Sequence, residues 1–395
     1  MKRRIEPVPP SAEALVRMRR ILRVAGGPAH ALFRLGLGVE VTASGTEHLP
    51  QEGPVFVLAN HITTPDAGFI TVMGKRPIQF MVAKSAMVSD FRGRVLAQFG
   101  VIPKQKFASD STAVKTLLRW RDLDAAVGLF PEGERSWDGH TLPLIPGIGK
   151  LVRLVKAPVV TVRVLNGHRV WPRWAEKARR GRVHLEFDAP VQFARREKVE
   201  VIRKHLEDRL RVDPAEAPDW EVRGTQLAAG LKNLLHACPA CNALDALQEA
   251  GDIVGCASCG ASWTVDTNNR LTGHSELSVA EAWALVKERF AEHWVGDPAR
   301  FAKDGTVLES EPAHMVDAMA LEPTEIARGQ LRLTPERVEM GEWSLPLTEL
   351  KAVSVDFRRQ LQFVHDGGVA EAVLPTESCL KWEWITRHWM GRLQG

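Results

Sequence analysis

The chain predicts an α/β layered sheet, a small cysteine module and a mostly-β C-terminal region closed by a helix. Three observations carry this. Short apolar runs alternate with helical stretches between Gly45 and Pro190. Two C-x-x-C pairs follow at Cys238-Cys241 and Cys256-Cys259. After residue 328 the apolar residues recur at every second position, with Gly367-Gly368 where a hairpin would turn.

Residues 1–44 read as a basic N-terminal helical segment. Leu15, Met18, Ile21, Leu22 and Val24 recur at helical spacing over 11–38, with Arg17, Arg19, Arg20 and Arg23 between them. That pattern fits a helix capping the next domain, and equally one lying in the plane of an anionic membrane. No apolar run is long enough to span a bilayer, and the polar, proline-rich start is unlike a secretory signal. The expected location is therefore cytoplasmic, peripheral on the inner face of the cell membrane. A formal net charge of +4 in 395 residues excludes a polycation.

Residues 45–212 form the expected α/β domain. Its strands are Val55–Ala59, Ile78–Val82, Gly100–Pro103, Ala125–Phe130, Pro158–Val164 and Val183–Phe187, with a helix over Ser109–Leu123. Ligands of such sheets bind just past the strand ends, and two motifs stand there. Asn60-His61-Ile62-Thr63-Thr64-Pro65-Asp66 follows the first strand. His61 suits a general base, because a neutral imidazole titrates near working pH, and Asp66 suits the carboxylate that fixes its tautomer. A five-residue spacing does not put both on one helix face, so the segment must turn into a helix. Phe130-Pro131-Glu132-Gly133-Glu134-Arg135-Ser136 follows the fourth strand. There Gly133 allows close backbone approach to a ligand, and Arg135 offers a planar fork for an anion.

In order and spacing the two motifs resemble the signatures of the glycerolipid acyltransferase family, N-H-x-x-x-x-D and a later F-P-E-G-x-R-S, over roughly residues 45–195. The resemblance implies a layered sheet of that family's type and O-acyl transfer, with His61 and Asp66 catalytic. It assigns acceptor binding to Glu132, Gly133 and Arg135. Glu132 could instead position the arginine or a backbone amide. Lys106 stands where the family usually has a phosphate-contacting arginine, and Thr161 where a second proline is common. The implied donor is acyl-CoA or acyl carrier protein. The implied acceptor is 1-acylglycerol-3-phosphate, giving phosphatidate. Lysine in place of arginine loses bidentate geometry, which keeps another lysolipid or an amino-acid-derived lipid open as acceptor. A non-catalytic lipid-binding scaffold is the competing class, and intact His61, Asp66, Glu132 and Arg135 weigh against it.

Residues 213–235 read as linker and helix, with the whole charged stretch 195–235 looking helical around the break at Pro214 and Pro218. Residues 236–270 read as a zinc ribbon. Cys238, Cys241, Cys256 and Cys259 would close a structural four-sulfur tetrahedron, with His236 a bystander and Cys379 a small core residue. The intervening loop carries Asp245, Glu249 and Asp252 and no Lys or Arg, which argues against a nucleic-acid backbone contact and suits a protein partner or rigid spacer. Residues 271–395 read as a helix from about residue 275 bearing Trp283, Phe290 and Trp294, then short antiparallel strands, then a helix over Ser378–Leu393. That order resembles a pleckstrin-homology-like or GRAM-like domain.

Overall fold

The computed structural model describes residues 3–105, 110–290, 304–320 and 322–391. The chain divides into two units: one comprises Ile5–Arg173 and Lys177–Gly224, the other chiefly the chain after Gly224.

In the first unit, α1 (Ala12–Gly36) is started by Ser11, whose hydroxyl accepts from Ala14 N at 3.1 Å. Its Leu15, Met18 and Leu22 are buried while Arg17, Arg19, Arg20 and Arg23 stay exposed. The sheet holds β1 (Val39–Ser44), β2 (Val55–Ala59), β3 (Ile78–Ala83), β4 (Ile102–Lys104), β5 (Ala126–Leu129), β6 (Val159–Leu165), β7 (Arg180–Phe187) and β8 (Val222–Arg223). Their order is β1-β7-β6-β2-β5-β3-β4, with β8 on β7. From β6 to β4 neighbours run parallel; β7 is antiparallel to β6, and β1 runs parallel to β7.

Parallel strands joined by helical crossovers are covered on both faces, so they read as continuous apolar runs. β2 shows this: all five residues are buried, yet successive side chains serve opposite layers. Phe56 and Leu58 join one cluster with α1, α4 (Ser111–Asp122), α5 (Ile148–Val155) and α7 (Val199–Leu210). Val55, Val57 and Ala59 join another with Phe69 and Ile70 of α2 (Asp66–Met73). The remaining helices are α3 (Phe91–Gln98) and the single turn α6 (Gly167–Val170). Thr161, the proline-substituting residue, is buried in β6 and donates its hydroxyl to Asp188 at 2.7 Å.

The structure departs from the sequence reading at both ends of this unit. β1 lies before Gly45, where the domain was expected to start. The helix of residues 195–235 is confined to Val199–Leu210, and a short 3-10 turn and β8 follow. Pro214 and Pro218 have no N–H to continue a helical ladder. Lys106 and Ser109 lie outside the described residues.

The second unit holds two antiparallel sheets. β9 (Leu247–Ala250), β10 (Ile253–Cys256), β11 (Ser262–Val265), β12 (Arg270–Gly273) and β13 (Leu277–Ser278) form a meander, followed by α8 (Val279–Phe290). Trp294 lies outside the described residues. Seven strands follow: β14 (Leu308–Asp317), β15 (Glu325–Leu333), β16 (Arg337–Met340), β17 (Trp343–Pro346), β18 (Ala352–Asp356), β19 (Gln360–His365) and β20 (Gly368–Val373). Their order is β17-β16-β15-β14-β20-β19-β18. The expected hairpin turn at Gly367-Gly368 joins β19 to β20. α9 (Cys379–Trp389) closes the region, with Cys379 fully buried.

The acidic residues of the cysteine module have partners inside this unit. Asp252 accepts from Leu227 N at 2.7 Å, and Glu249 accepts from Gly230 N at 3.0 Å and Lys232 N at 2.6 Å. Asp245 takes the Lys381 ammonium at 2.7 Å, and Glu377 takes it at 2.9 Å. The Lys381 side chain is 2% exposed, whereas Asp245 is 50% exposed. Removing one member of a fully dry pair costs roughly 3–5 kcal/mol. With Asp245 wetted, Lys381→Met should cost about 2 kcal/mol, read as a lower urea midpoint for the second unit; an unchanged midpoint would show that the ammonium is not a structural tie.

Candidate active site

The site begins where β2 runs out. Asn60 extends the strand's pairing through its side chain: Nδ2 donates to Val164 O at 3.1 Å and Oδ1 accepts from Val164 N at 2.6 Å. The amide thus mimics one more backbone residue against β6, and it fixes the point at which the chain leaves the sheet. The following residues turn back so that Asp66 opens α2. Asp66 is fully buried, which would be costly without partners. Its Oδ2 accepts from Ile62 N at 2.8 Å, Thr63 N at 2.9 Å and His61 Nδ1 at 2.9 Å, and its Oδ1 accepts from the Thr63 hydroxyl. An ionised carboxylate only accepts, so the ring proton belongs on Nδ1 and the lone pair on Nε2.

The His61 ring stacks on Phe130, centroids 3.9 Å apart and planes 14° apart, and Phe130 stacks on Phe80 at 5.1 Å. Its side chain keeps 21% exposure, enough for one edge to meet a ligand. Desolvation lowers the imidazole pKa below its ordinary value. The bond and charge of Asp66 oppose that shift, and the positive charges of Arg135 and Arg173 reinforce it. His61 is therefore poised as a neutral acceptor.

Glu132 connects the second motif to the first. Its Oε1 accepts from His61 N at 2.7 Å and its Oε2 accepts from Leu142 N at 2.6 Å. Both oxygens are thus engaged by backbone amides, one of the roles the sequence left open for this residue. Burial pushes the Glu132 carboxyl up to about 8, opposed by the two N–H donors and assisted by the charge of Asp66. On the carbonyl side of the same residue, Ser136 N donates to His61 O at 2.8 Å. The backbone of His61 is held at both its polar atoms by residues of the second motif.

Gly133 is exposed and has φ +76°, a conformation glycine adopts without the Cβ penalty. Arg135 is half-buried and donates Nη1 to the Thr64 hydroxyl at 2.9 Å, which brings the two motifs together by a third contact. Beside it is Arg173, a residue that sequence reasoning did not single out. Its side chain is buried, its guanidinium lies 4.2 Å over the Trp137 ring, and its Nη1 donates to Arg135 O at 2.6 Å. Glu134 Oε2 is 3.8 Å from the same nitrogen. No local pattern marks Arg173, because it reaches the site from the segment after α6.

The second unit brings Cys238, Cys241, Cys256 and Cys259 together, with their sulfurs all within 4.8 Å of one another. Cys238–Cys259 and Cys241–Cys256 are separated by 3.9 and 3.7 Å. A tetrahedral ion with metal–sulfur bonds of about 2.3 Å requires sulfur–sulfur edges near 3.8 Å, so the cluster fits such an ion. Four sulfurs fill a tetrahedron and leave no position for a substrate. His236 packs edge-on against Trp283 and Phe290 and is buried.

Residues 40–165 match the family model described as Acyltransferase. A 1-acyl-sn-glycerol-3-phosphate acyltransferase of Borreliella burgdorferi is 24% identical over 135 residues, covering 33% of this chain and 52% of that protein. The chloroplastic 1-acyl-sn-glycerol-3-phosphate acyltransferase BAT2 of Brassica napus is 25% identical over 135 residues, 33% of this chain and 39% of that protein. The chain thus spans about half or less of these relatives. The crystal structure of the 1-acyl-sn-glycerophosphate acyltransferase PlsC of Thermotoga maritima is similar at a TM-score of 0.41 and 20% identity, over 50% of this chain and 79% of that one.

Two outcomes test this geometry. Glu132→Gln turns one acceptor into a donor facing a backbone N–H, which should cost about 1–3 kcal/mol in thermal unfolding. Because the folded pKa is raised to about 8, the carboxyl's contribution to stability is full below 4.5 and is lost as pH rises through 8; the glutamine variant should show a flatter stability profile across that window. In an NMR titration, His61 should ionise below 6.5, and Arg173→Met should raise its pKa. A pKa unmoved by that substitution would remove Arg173 from the site's electrostatics.

Proposed function

We propose that the chain, whose residues 40–165 match the family model described as Acyltransferase, is a peripheral membrane O-acyltransferase acting on a glycerolipid hydroxyl. The observation that carries the reading is the 2.9 Å bond between His61 Nδ1 and a fully buried Asp66, on a side chain that is not itself fully buried. The acceptor hydroxyl hydrogen-bonds to Nε2 and gives up its proton as its oxygen attacks the thioester carbonyl. The tetrahedral intermediate then collapses with loss of the thiolate, which takes the proton back from the imidazolium. Asp66 stabilises the imidazolium between those steps without itself taking the proton. The burial that keeps His61 neutral also keeps water from its stacked face.

Arg135 supplies a cation beside the base, suited to the phosphate of 1-acylglycerol-3-phosphate, so the product is phosphatidate. The donor is a thioester of coenzyme A or of acyl carrier protein. The exposed arginines of α1 suit an anionic bilayer surface, and among the described residues no helix is long and apolar enough to cross one. In the second unit the four cysteines hold zinc, which when bound pins the two knuckles together and takes no part in transfer.

Purified protein offered radiolabelled acyl-CoA or acyl carrier protein with lysophosphatidate, other lysolipids or no acceptor should label the lysophosphatidate sample. His61→Ala should cut that rate by at least about a hundredfold. Turnover that survives the substitution would remove His61 as the base. Cys238→Ser with Cys241→Ser should release one equivalent of zinc by elemental analysis, and no change in metal content would refute the four-sulfur site.

A further inference from the structure

Strand polarity gives the first unit a distinctive edge. β2, β5, β3 and β4 all end on the side where His61 lies, and β1, which runs against them, begins there. Large apolar side chains are left uncovered on elements that adjoin the two ends of the strand order, one leading into β1 and the other linking β3 to β4. Leu35 is 83% exposed at the end of α1, and Leu37 is 36% exposed just before β1. Phe91, 78% exposed, opens α3 after β3, and Val95 is 41% exposed one turn on. The start of α3 is a fixed one, since Asp90 accepts from Gly93 N at 2.8 Å. Arg34 and Arg94 stand exposed among these residues. A phenylalanine held in water on an ordered helix forgoes the burial its ring would gain, so an occupant that takes apolar side chains and anionic groups together is called for.

A lipid leaflet offers both: acyl chains beneath a layer of phosphates. We propose that Phe91 and Val95 of α3, with Leu35 and Leu37 at the end of α1, form a bilayer-inserting rim that sets the His61 edge of the sheet against the membrane. Arg34 and Arg94 lie at the level of the anionic headgroups. α1 is then not the sole membrane element, because α3 supplies a second contact, next to the strands at the other end of the order. The orientation follows too: the sheet's ligand-binding edge faces the leaflet in which a lysolipid acceptor resides. That last step rests on the glycerolipid reading, whereas the membrane contact does not.

The test is sedimentation of the full chain with vesicles of phosphatidylcholine containing one part in four of phosphatidylglycerol, beside acyl transfer to a detergent-dispersed acceptor. Phe91→Ser should weaken vesicle partitioning at least about tenfold, and Arg94→Gln should reduce the preference for anionic over pure phosphatidylcholine vesicles. Leu154→Ser is the control, an exposed apolar residue of α5 next to the start of β6 and so on the opposite edge; it should partition like the unmodified chain. Equal partitioning of Phe91→Ser and the unmodified chain would overturn the proposal. So would no vesicle binding at all, which would leave the rim to a protein partner. Phe91→Ser should retain transfer in detergent. If the unmodified chain transfers nothing there yet shows the vesicle pattern, the enzymatic reading fails and the membrane rim stands.

Discussion

One glutamate side chain holds the candidate site together. Glu132 receives the amide of His61 on one oxygen and that of Leu142 on the other. It thereby joins the loop after β2 to the loop after β5, two strands adjacent in the sheet and about seventy residues apart in sequence. The rest of the geometry depends on this clasp. With it in place, the Ser136 amide closes on His61 O, and Arg135 comes within reach of Thr64. Phe130, which opens the second motif, becomes the floor on which the imidazole stacks. A carboxyl buried this deeply is tolerated because two backbone donors meet it, and its raised pKa records the residual cost.

Charge around His61 is arranged with a consistent sense. Asp66 draws its own partners from the two peptides next to the histidine, so the group that orients the ring is itself rigid. Burial and the two arginines then favour the neutral ring. The proposed base, working beside cations proposed to meet an anionic acceptor, would need this balance: the Asp66 charge favours the imidazolium, whereas burial and the arginines oppose it. Arg173 has a further part, since it carries the backbone of Arg135 while its guanidinium sits over the Trp137 ring.

Much of this was legible in the sequence because it is local. Apolar runs such as Val55–Ala59 announce strands buried on both faces, and the spacing of His61 and Asp66 demands the turn that the structure contains. The four cysteines declare their convergence by spacing alone. What was not legible depends on partners far away. β1 alternates apolar and polar residues over only six positions after a long helix, and its partner β7 is some 140 residues distant, so nothing near it marks a strand. Arg173 carries no motif, and its place is set by the path of the chain after β6. The roles of Asp245, Glu249 and Asp252 were also hidden. Their charge suited a protein partner or a rigid spacer, and their acceptors are taken by Lys381 and by backbone amides of residues 227–232. Charge in a sequence does not say which way it points.

A single glutamate locks the histidine loop to its neighbour, and amide hydrogen exchange reports on that lock most directly. The His61 and Leu142 amides should both be strongly protected in the unmodified protein, and Glu132→Ala should speed both together, while amides within β2 and β5 keep their protection. If either amide exchanges freely in the unmodified protein, or if the substitution releases one and not the other, the clasp does not hold the site as described.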